Sequence, residues 1–334
     1  MRVIVDAYGG DNAPDAVLQG CRMAADRWKC EIVLTGNGEK LRARAAELGV
    51  SLEDMTIADA PDVFPMEAEP TAIMKQHKDS SMARGLQMLA NGEGEAFVSA
   101  GSTGALVVGG TLIVKRIKGV KRPAIGTVVP CRGGCFMLLD SGANHDCRPE
   151  MLRQFGLMGS VYMKRILGVP NPRVGLVNIG VEETKGTELQ VEAYGLMKEA
   201  GYNFIGNVEA REVPLGGCDV AVCDGFTGNV ILKTTEGLAK LFMSEIKSIF
   251  MKSLPNKLAA AVVKKDLGEF KRKFDSAEYG GALLLGTKKP VIKAHGSSDA
   301  KAFYNAIRQA ISCCENNIIG EMESQLAVET AEAE

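Results

Sequence analysis

The chain has 334 residues, 46% of them hydrophobic and 24% charged, with a mean hydropathy of +0.01, which is a globular composition able to build a core without disulfide or metal staples. Thirty-nine basic against 41 acidic residues leave a formal charge of −2, and aromatics are only 5%, which argues against a general nucleic-acid binder and against base-stacking platforms. Nine cysteines, an odd number with no export signal ahead of them, read as reduced thiols of a cytoplasmic protein.

Arg2–Val5 predicts a first strand that meets an acid at Asp6, too early for the apolar run of a signal peptide. Further strands are expected at Glu31–Leu34, Thr56–Ala58, Ala96–Val98, Ala124–Val128, Phe136–Leu139, Arg173–Val177, Phe204–Gly206 and Val220–Cys223. Several are continuous apolar runs, as strands covered on both faces require. Helix-period segments lie between many of them, at Asp15–Trp28, Met82–Ala90, Glu150–Leu167 and Glu188–Glu199. Alternating strands and helices predict an α/β fold with a doubly wound, mostly parallel sheet, and Ala124–Leu139 reads as a hairpin within it. Ala96 to Val114 carries no charge over 19 residues, but its four glycines and four hydroxyl residues suit a buried strand, a turn and a helix better than a membrane span. No linker divides residues 1–322. A helical hairpin is expected to project from the body at about 235–275, and an acidic disordered tail to occupy 323–334.

Five strand ends are rich in glycine and short polar residues: Asp6-Ala-Tyr-Gly9-Gly10-Asp11, Ser99-Ala-Gly101-Ser102-Thr103-Gly104, Asp140-Ser-Gly-Ala-Asn144, Asn178 to Glu183, and Asp224-Gly-Phe-Thr-Gly228-Asn229. Glycine admits close backbone approach, and a helix start offers unpaired N–H groups, so such ends suit an anion, phosphate above all. Neither a dinucleotide fingerprint nor a Gly-Lys-Ser/Thr phosphate loop occurs, so no nicotinamide or nucleotide cofactor is indicated. No Gly-x-Ser-x-Gly elbow occurs among the three histidines' surroundings; His295 follows a strand-like Pro290-Val-Ile and is a plausible site residue. Cys131, Cys135, His145 and Cys147 match no common zinc spacing, and no metal is expected. Lys185, just beyond a buried strand, is either a phosphate ligand or a solvated partner of Glu182 and Glu183; Asn178, Asp224 and Asn229 at nearby strand ends favour the ligand role.

At these residues the sequence resembles the phosphate acyltransferase family of the PlsX type. The resemblance runs through Val5–Pro14, Ser99–Ala105, Leu139–Asn144, Gly175–Gly180, Glu183-Thr-Lys-Gly186 and Cys223–Asn229, and ends at Lys293-Ala-His-Gly-Ser297. Ser102 stands where the family usually has Asn, and Val181 where it has a polar residue. The resemblance implies a fold like that of isocitrate and isopropylmalate dehydrogenases, a homodimer without cofactor, and transfer of a long acyl chain from acyl carrier protein to inorganic phosphate. The acyl phosphate would pass to a glycerol-3-phosphate acyltransferase. The alternatives are a short-chain, CoA-dependent phosphate acyltransferase and a non-catalytic carrier- or lipid-binding protein.

That reaction needs no side-chain nucleophile, because phosphate attacks and a thiolate leaves; catalysis rests on positioning and on holding the oxyanion. Phosphate is expected at Lys185, at Asn229 and at the N–H groups of Gly101–Gly104. Asn144 and Asn178 are candidate oxyanion donors, Asp11 and Asp224 orient neighbouring groups, and His295 is a reserve acid for the thiol. Residues 245–275 hold eight bases, among them Lys257, Lys264, Lys265, Lys271, Arg272 and Lys273, against four acids, a net +4 that leaves the rest of the chain at −6. This basic amphipathic segment suits an acidic carrier, an anionic membrane surface contacted peripherally, or packing between subunits.

Overall fold

A computed structural model describes residues 1–273, 278 and 280–332, with the side chains of Lys271, Lys273 and residues 329–332 outside that description. The strands are β1 (Arg2–Asp6), β2 (Glu31–Gly36), β3 (Met55–Asp59), β4 (Ala96–Ser99), β5 (Ala124–Cys131), β6 (Gly134–Leu139), β7 (Val174–Asn178), β8 (Phe204–Glu209), β9 (Val220–Val222), β10 (Ala282–Leu285) and β11 (Val291–Lys293). They form one sheet in the order β3-β2-β1-β4-β11-β10-β5-β6-β9-β7-β8. Most neighbours are parallel, and the strands foreseen from sequence are all present. Ala282–Leu285, four apolar residues between glycines, was not foreseen as a strand.

It joins two halves of the sheet whose directions differ because of the β5–β6 hairpin. β10 pairs antiparallel with both β11 and β5, and β5 pairs antiparallel with β6. β1 to β4 and β11 therefore run one way, while β6, β9, β7 and β8 run the other. The glycine-rich turns consequently do not share one edge. Asp6–Asp11, Ser99–Gly104 and the Lys293–Ser297 segment lie at one edge; Asp140–Asn144, Asn178–Glu183 and Asp224–Asn229 lie at the other.

One face is covered without a break. Helices α1 (Asp15–Trp28), α2 (Gly38–Leu48), α5 (Pro149–Arg165), α6 (Glu188–Lys198), α10 (Ala300–Glu315) and α11 (Ile318–Glu332) bury residues such as Leu18, Phe155 and Phe303 in a single core with Val5, Val98, Ile292, Leu283 and Leu139. The expected acidic tail differs from what forms there: α11 extends to Glu332, and Met322 and Leu326 anchor it in this core, an apolar pair that the run of glutamates conceals. Residues 333–334 lie outside the described residues.

The opposite face carries α3 (Ser81–Ala90), α4 (Thr103–Gly109) and the start of α7 (Gly225–Met251). Ala96–Val114 is indeed a buried strand, a turn and a helical stretch. Among the described residues no helix is long and apolar enough to cross a membrane. α7 buries only Gly225 and Gly228 and then leaves the sheet, followed by α8 (Leu254–Val262) and α9 (Lys264–Lys273). Ser253 caps α8 and Pro255 sits in its first turn, but no α8 residue is buried. Residues 274 and 275 of the expected hairpin lie outside the described residues.

Candidate functional site

On the face of α3, α4 and α7 the core is split in two. One cluster joins Ile4, Phe97, Val291, Ala282, Leu284 and Ile125 to α3 and α4. The other joins Val129, Phe136, Leu138 and Val177, with Ile231 and Leu232 of α7 packed against it. The split falls on β5. Ile125 belongs to one cluster and Val129 to the other, and between them on the same face Thr127 is partly open. Side chains alternate along a strand, so Thr127 marks the floor of a cleft between the α4 and α7 sides.

Register supplies the rest of that floor. Ser99 pairs with Lys293, Lys293 with Ala282, and Thr127 is the next residue along from the Gly126–Leu283 pair. Ser99, Lys293, Ala282 and Thr127 thus form one row across four strands. Lys293 donates to the carbonyls of Ala100, at 3.3 Å, and of Ala294. Burial first, then the nearby Lys233 charge, pull its ammonium down to about 8, against partial support from Asp11 and Asp6.

At this end the buried Asp6 accepts from the Ser99 hydroxyl at 2.7 Å and from the Tyr8 N–H at 3.2 Å, tying the turn after β1 to the turn after β4. Burial raises its carboxyl pKa, while these donors work in the other direction. The two turns pack so closely that a Cβ on Gly9 would lie 2.8 Å from the Gly101 nitrogen. Gly10 adopts φ +98°, and Asp11 donates its N–H to the Gly296 carbonyl at 2.8 Å. Ser102 caps α4 through Ala105, Thr103 is exposed, and Gly104 rests on Pro70. His295 is exposed at the rim, its Nδ1 2.9 Å from the Ser297 hydroxyl; partial desolvation of the ring, then the Lys233 charge, push its pKa down.

The opposite edge is organised by Asp140. Its buried carboxylate accepts from the N–H groups of Ile125, Gly142, Ala143 and Asn144 and from the Asn144 amide. Both amide protons of Asn144 are engaged, one by Asp140 and one by the Pro123 carbonyl, each at 2.8 Å, so Asn144 holds the loop and has none left for an oxyanion. Asp224 caps α7 by accepting from the Thr227 N–H and hydroxyl. Asn229 then donates to the Ser141 carbonyl at 3.4 Å, keeping one amide proton to spare, and the Ser141 hydroxyl lies 2.7 Å from that of Thr127. One turn further, Lys233 reaches the field of Lys293 and His295 while paired with Glu236 at 3.0 Å. Asn229 and Lys233 share a helix face at i, i+4, so α7 links the two edges across the cleft.

Three expected residues stand apart. Asn178 donates to the Lys185 carbonyl at 2.9 Å, and Glu183 is bound by the Tyr194 hydroxyl and Lys198, both at 3.0 Å, which holds its carboxyl below the usual range. Lys185 is exposed, and its ammonium has no partner among the described residues. β7 lies six strands from β4, roughly 30 Å at ~4.8 Å per strand, and ends at the opposite edge. One chain therefore does not bring Lys185 to Gly101–Gly104. Lys257, Lys264, Lys265 and Arg272 are exposed on the hairpin, remote from the cleft. Sequence reasoning gave no role to Lys293, Thr127 or Ser141; a lysine closing the apolar Val291-Ile292 run was the available signal.

Cys131 and Cys135 sit at the tip of the β5–β6 hairpin, whereas Cys147 follows the far end of β6, where burial and then Asp140 push its thiol up to about 12. The cysteines do not converge with His145, and among the described residues no group of three or more metal-ligating side chains does. Chelator is expected to leave turnover unchanged; stoichiometric zinc lost together with activity would overturn this.

The sequence profile of a family described as "fatty acid synthesis protein" matches residues 1–321. The phosphate acyltransferase of Clostridium acetobutylicum is 46% identical over 327 residues, covering 98% of this chain and 99% of its own. That of Alkaliphilus oremlandii is 46% identical over 319 residues, covering 96% and 95%. Among solved structures, a phosphotransacetylase from Streptococcus pyogenes matches with a TM-score of 0.61 at 17% identity, over 96% of this chain and 94% of that one. A branched-chain phosphotransacylase from Enterococcus faecalis gives 0.59 at 13% identity, over 93% and 98%. At such identities these structures establish a shared fold alone.

Proposed function

The chain belongs to the fatty acid synthesis protein family, alongside the clostridial phosphate acyltransferases, and from that we propose that it transfers a long-chain fatty acyl group from acyl carrier protein to inorganic phosphate. A phosphate oxygen attacks the thioester carbonyl, the C–S bond breaks, and the products are an acyl phosphate and the carrier thiol. The observation that supports this most is the floor itself, where half-buried Lys293 is bonded to the Ala100 carbonyl ahead of α4, and Thr127 in the same row is bonded to Ser141, whose carbonyl holds the Asn229 amide.

Phosphate near neutral pH is already a nucleophile, so positioning and charge stabilisation carry the rate. The N–H groups after Gly101 and the Asn229 amide receive the phosphate and the developing oxyanion. Asp6, Asp140 and Asp224 spend their acceptor capacity on backbone, hydroxyl and amide donors, which fixes the loops. His295, exposed at the rim, meets the departing thiol. The protein acts in the cytoplasm as a homodimer and hands its product to a glycerol-3-phosphate acyltransferase.

Incubation with acyl carrier protein thioester and phosphate tests the reading, with the product trapped as hydroxamate. Acyl phosphate from the carrier thioester, and little from acetyl- or butyryl-CoA, is the expected result. Product from the short CoA esters alone would move the protein to the short-chain class. Carrier binding without product would leave a binding protein.

The hairpin supports a further part of the reading. Leu254, Leu258 and Val262 are 72%, 65% and 84% exposed at i, i+4 and i+8 of α8, beside Lys257, Lys264 and Lys265. An apolar stripe rimmed by cations suits either an acidic carrier or an anionic membrane. Reversing Lys257, Lys264, Lys265 and Arg272 to glutamate takes residues 245–275 from +4 to −4. A carrier surface predicts a raised KM for carrier thioester, narrowed by salt because exposed charges are screened within about 10 Å at 0.1 M. A membrane surface predicts lost vesicle co-sedimentation with normal kinetics in solution. If neither changes, the stripe serves subunit packing.

A further inference from the structure

We infer that Lys293 is a phosphate-contacting residue of the cleft, its ammonium held to the floor by the Ala100 and Ala294 carbonyls and its remaining N–H turned toward the bound nucleophile. This rests on the reading of the chain as a phosphate acyltransferase and adds a residue to it. Three observations carry it.

The first is position. Lys293 stands in the row Ser99–Lys293–Ala282–Thr127, on the face where the core is split, next to the carbonyl that precedes Gly101. The second is valence. An ammonium has three donors, and two carbonyls use two of them. The third is charge. Lys293 forms no ion pair among the described residues, although it is half-buried in a cleft it shares with Lys233. Asp6 lies nearby but is occupied by hydroxyl and backbone donors, and Asp11 is exposed. Lys233 has its own partner in Glu236. A desolvated cation without a counter-ion is costly, and a dianion bound between Lys293 and the start of the Gly101 turn removes that cost. Burial depresses its pKa, and a bound anion would return it upward.

The test compares K293Q, K293M and K293R with the wild type by inorganic phosphate binding, read by calorimetry, and by phosphate-saturation kinetics. K293Q keeps a donor for the floor carbonyls and removes the charge. It is expected to weaken phosphate binding and raise the phosphate KM roughly tenfold to a hundredfold, the range of one charge-assisted hydrogen bond, with the KM for acyl donor nearly unchanged. K293R should recover part of the loss. The wild type should lose phosphate affinity as pH rises through about 8 and Lys293 discharges, a trend absent from K293Q. Wild-type phosphate affinity in K293Q or K293M overturns the inference, as does failure of all three variants to fold, which would make Lys293 structural. The parent reading fails separately: wild-type protein whose phosphate binding depends on Lys293 but which makes no acyl phosphate retains this contact and loses the acyltransferase activity.

Discussion

Lys185→Ala is expected to lower turnover tenfold to a hundredfold at subsaturating phosphate, as loss of a charged hydrogen bond of roughly 1.5–3 kcal/mol implies, with an unchanged melting temperature. The stability half follows from the exposed loop and from an ammonium with no partner among the described residues. Wild-type rates in the variant would remove Lys185 from the site and leave the phosphate to Lys293, Asn229 and the Gly101 turn.

A loss of activity has a further consequence, because the sheet keeps Lys185 and Gly101 of one chain at opposite edges. A second copy would then be the expected source of the lysine. Its loop carries Ile179 and Val181, 80% and 64% exposed, and α7 beside Asn229 carries Phe226 and Val230, 65% and 51% exposed. Such an apolar surface around a polar site is what subunit pairing covers. Mixing Lys185→Ala with Asn229→Ala subunits should then restore activity to roughly a quarter of wild type, since half the random pairs carry one intact site of two. No recovery on mixing, with both variants folded and each inactive, would place all the contacts within one chain.

The elements were legible because most signals are local. Asp15–Trp28 shows apolar residues at helical spacing and is the helix found; the Val, Ile and Leu runs of β1, β2 and β7 needed no tertiary information. β10 was not legible. Ala282-Leu-Leu-Leu285 has no β-branched residue and is too short to show a period, yet it is the strand that joins the two halves of the sheet, between β11 and β5. Turn composition pointed to Gly9, Gly101, Asp224 and Asn229 as candidates, since glycine, capping acids and small amides leave a trace in sequence. The floor row left no more than the lysine closing the Val291-Ile292 run, because Thr127 and Lys293 enter one row only through the register of strands far apart in the chain. Asn144 shows the opposite failure: its residue type suits an oxyanion donor, but two acceptors that no motif reveals consume both protons.

Gly228→Ala should be the most damaging small change in the cleft. A Cβ there would lie 1.9 Å from the Asp140 carbonyl oxygen and 3.0 Å from the Cys223 sulfur. The oxygen is backbone and cannot rotate away, and Asp140 is itself pinned by its bonds to residues 125 and 142–144. The start of α7 must therefore lift, at about 3 kcal/mol, the upper end of ordinary overpacking. Asn229 follows directly and Lys233 sits one turn on, so both leave their places over Thr127 and Lys293. Turnover should fall by more than the unfolded fraction accounts for, with the phosphate KM raised. Gly237→Ala, in the same helix with nothing within 4 Å of its added carbon, is the control: it should be neutral or stabilising by up to ~1 kcal/mol, because alanine is the better helix former. Equal losses in the two variants would show that α7 tolerates no substitution of any kind. A loss confined to Gly228 would show that the close seat of α7 on Asp140 is what sets Asn229 and Lys233 across the cleft.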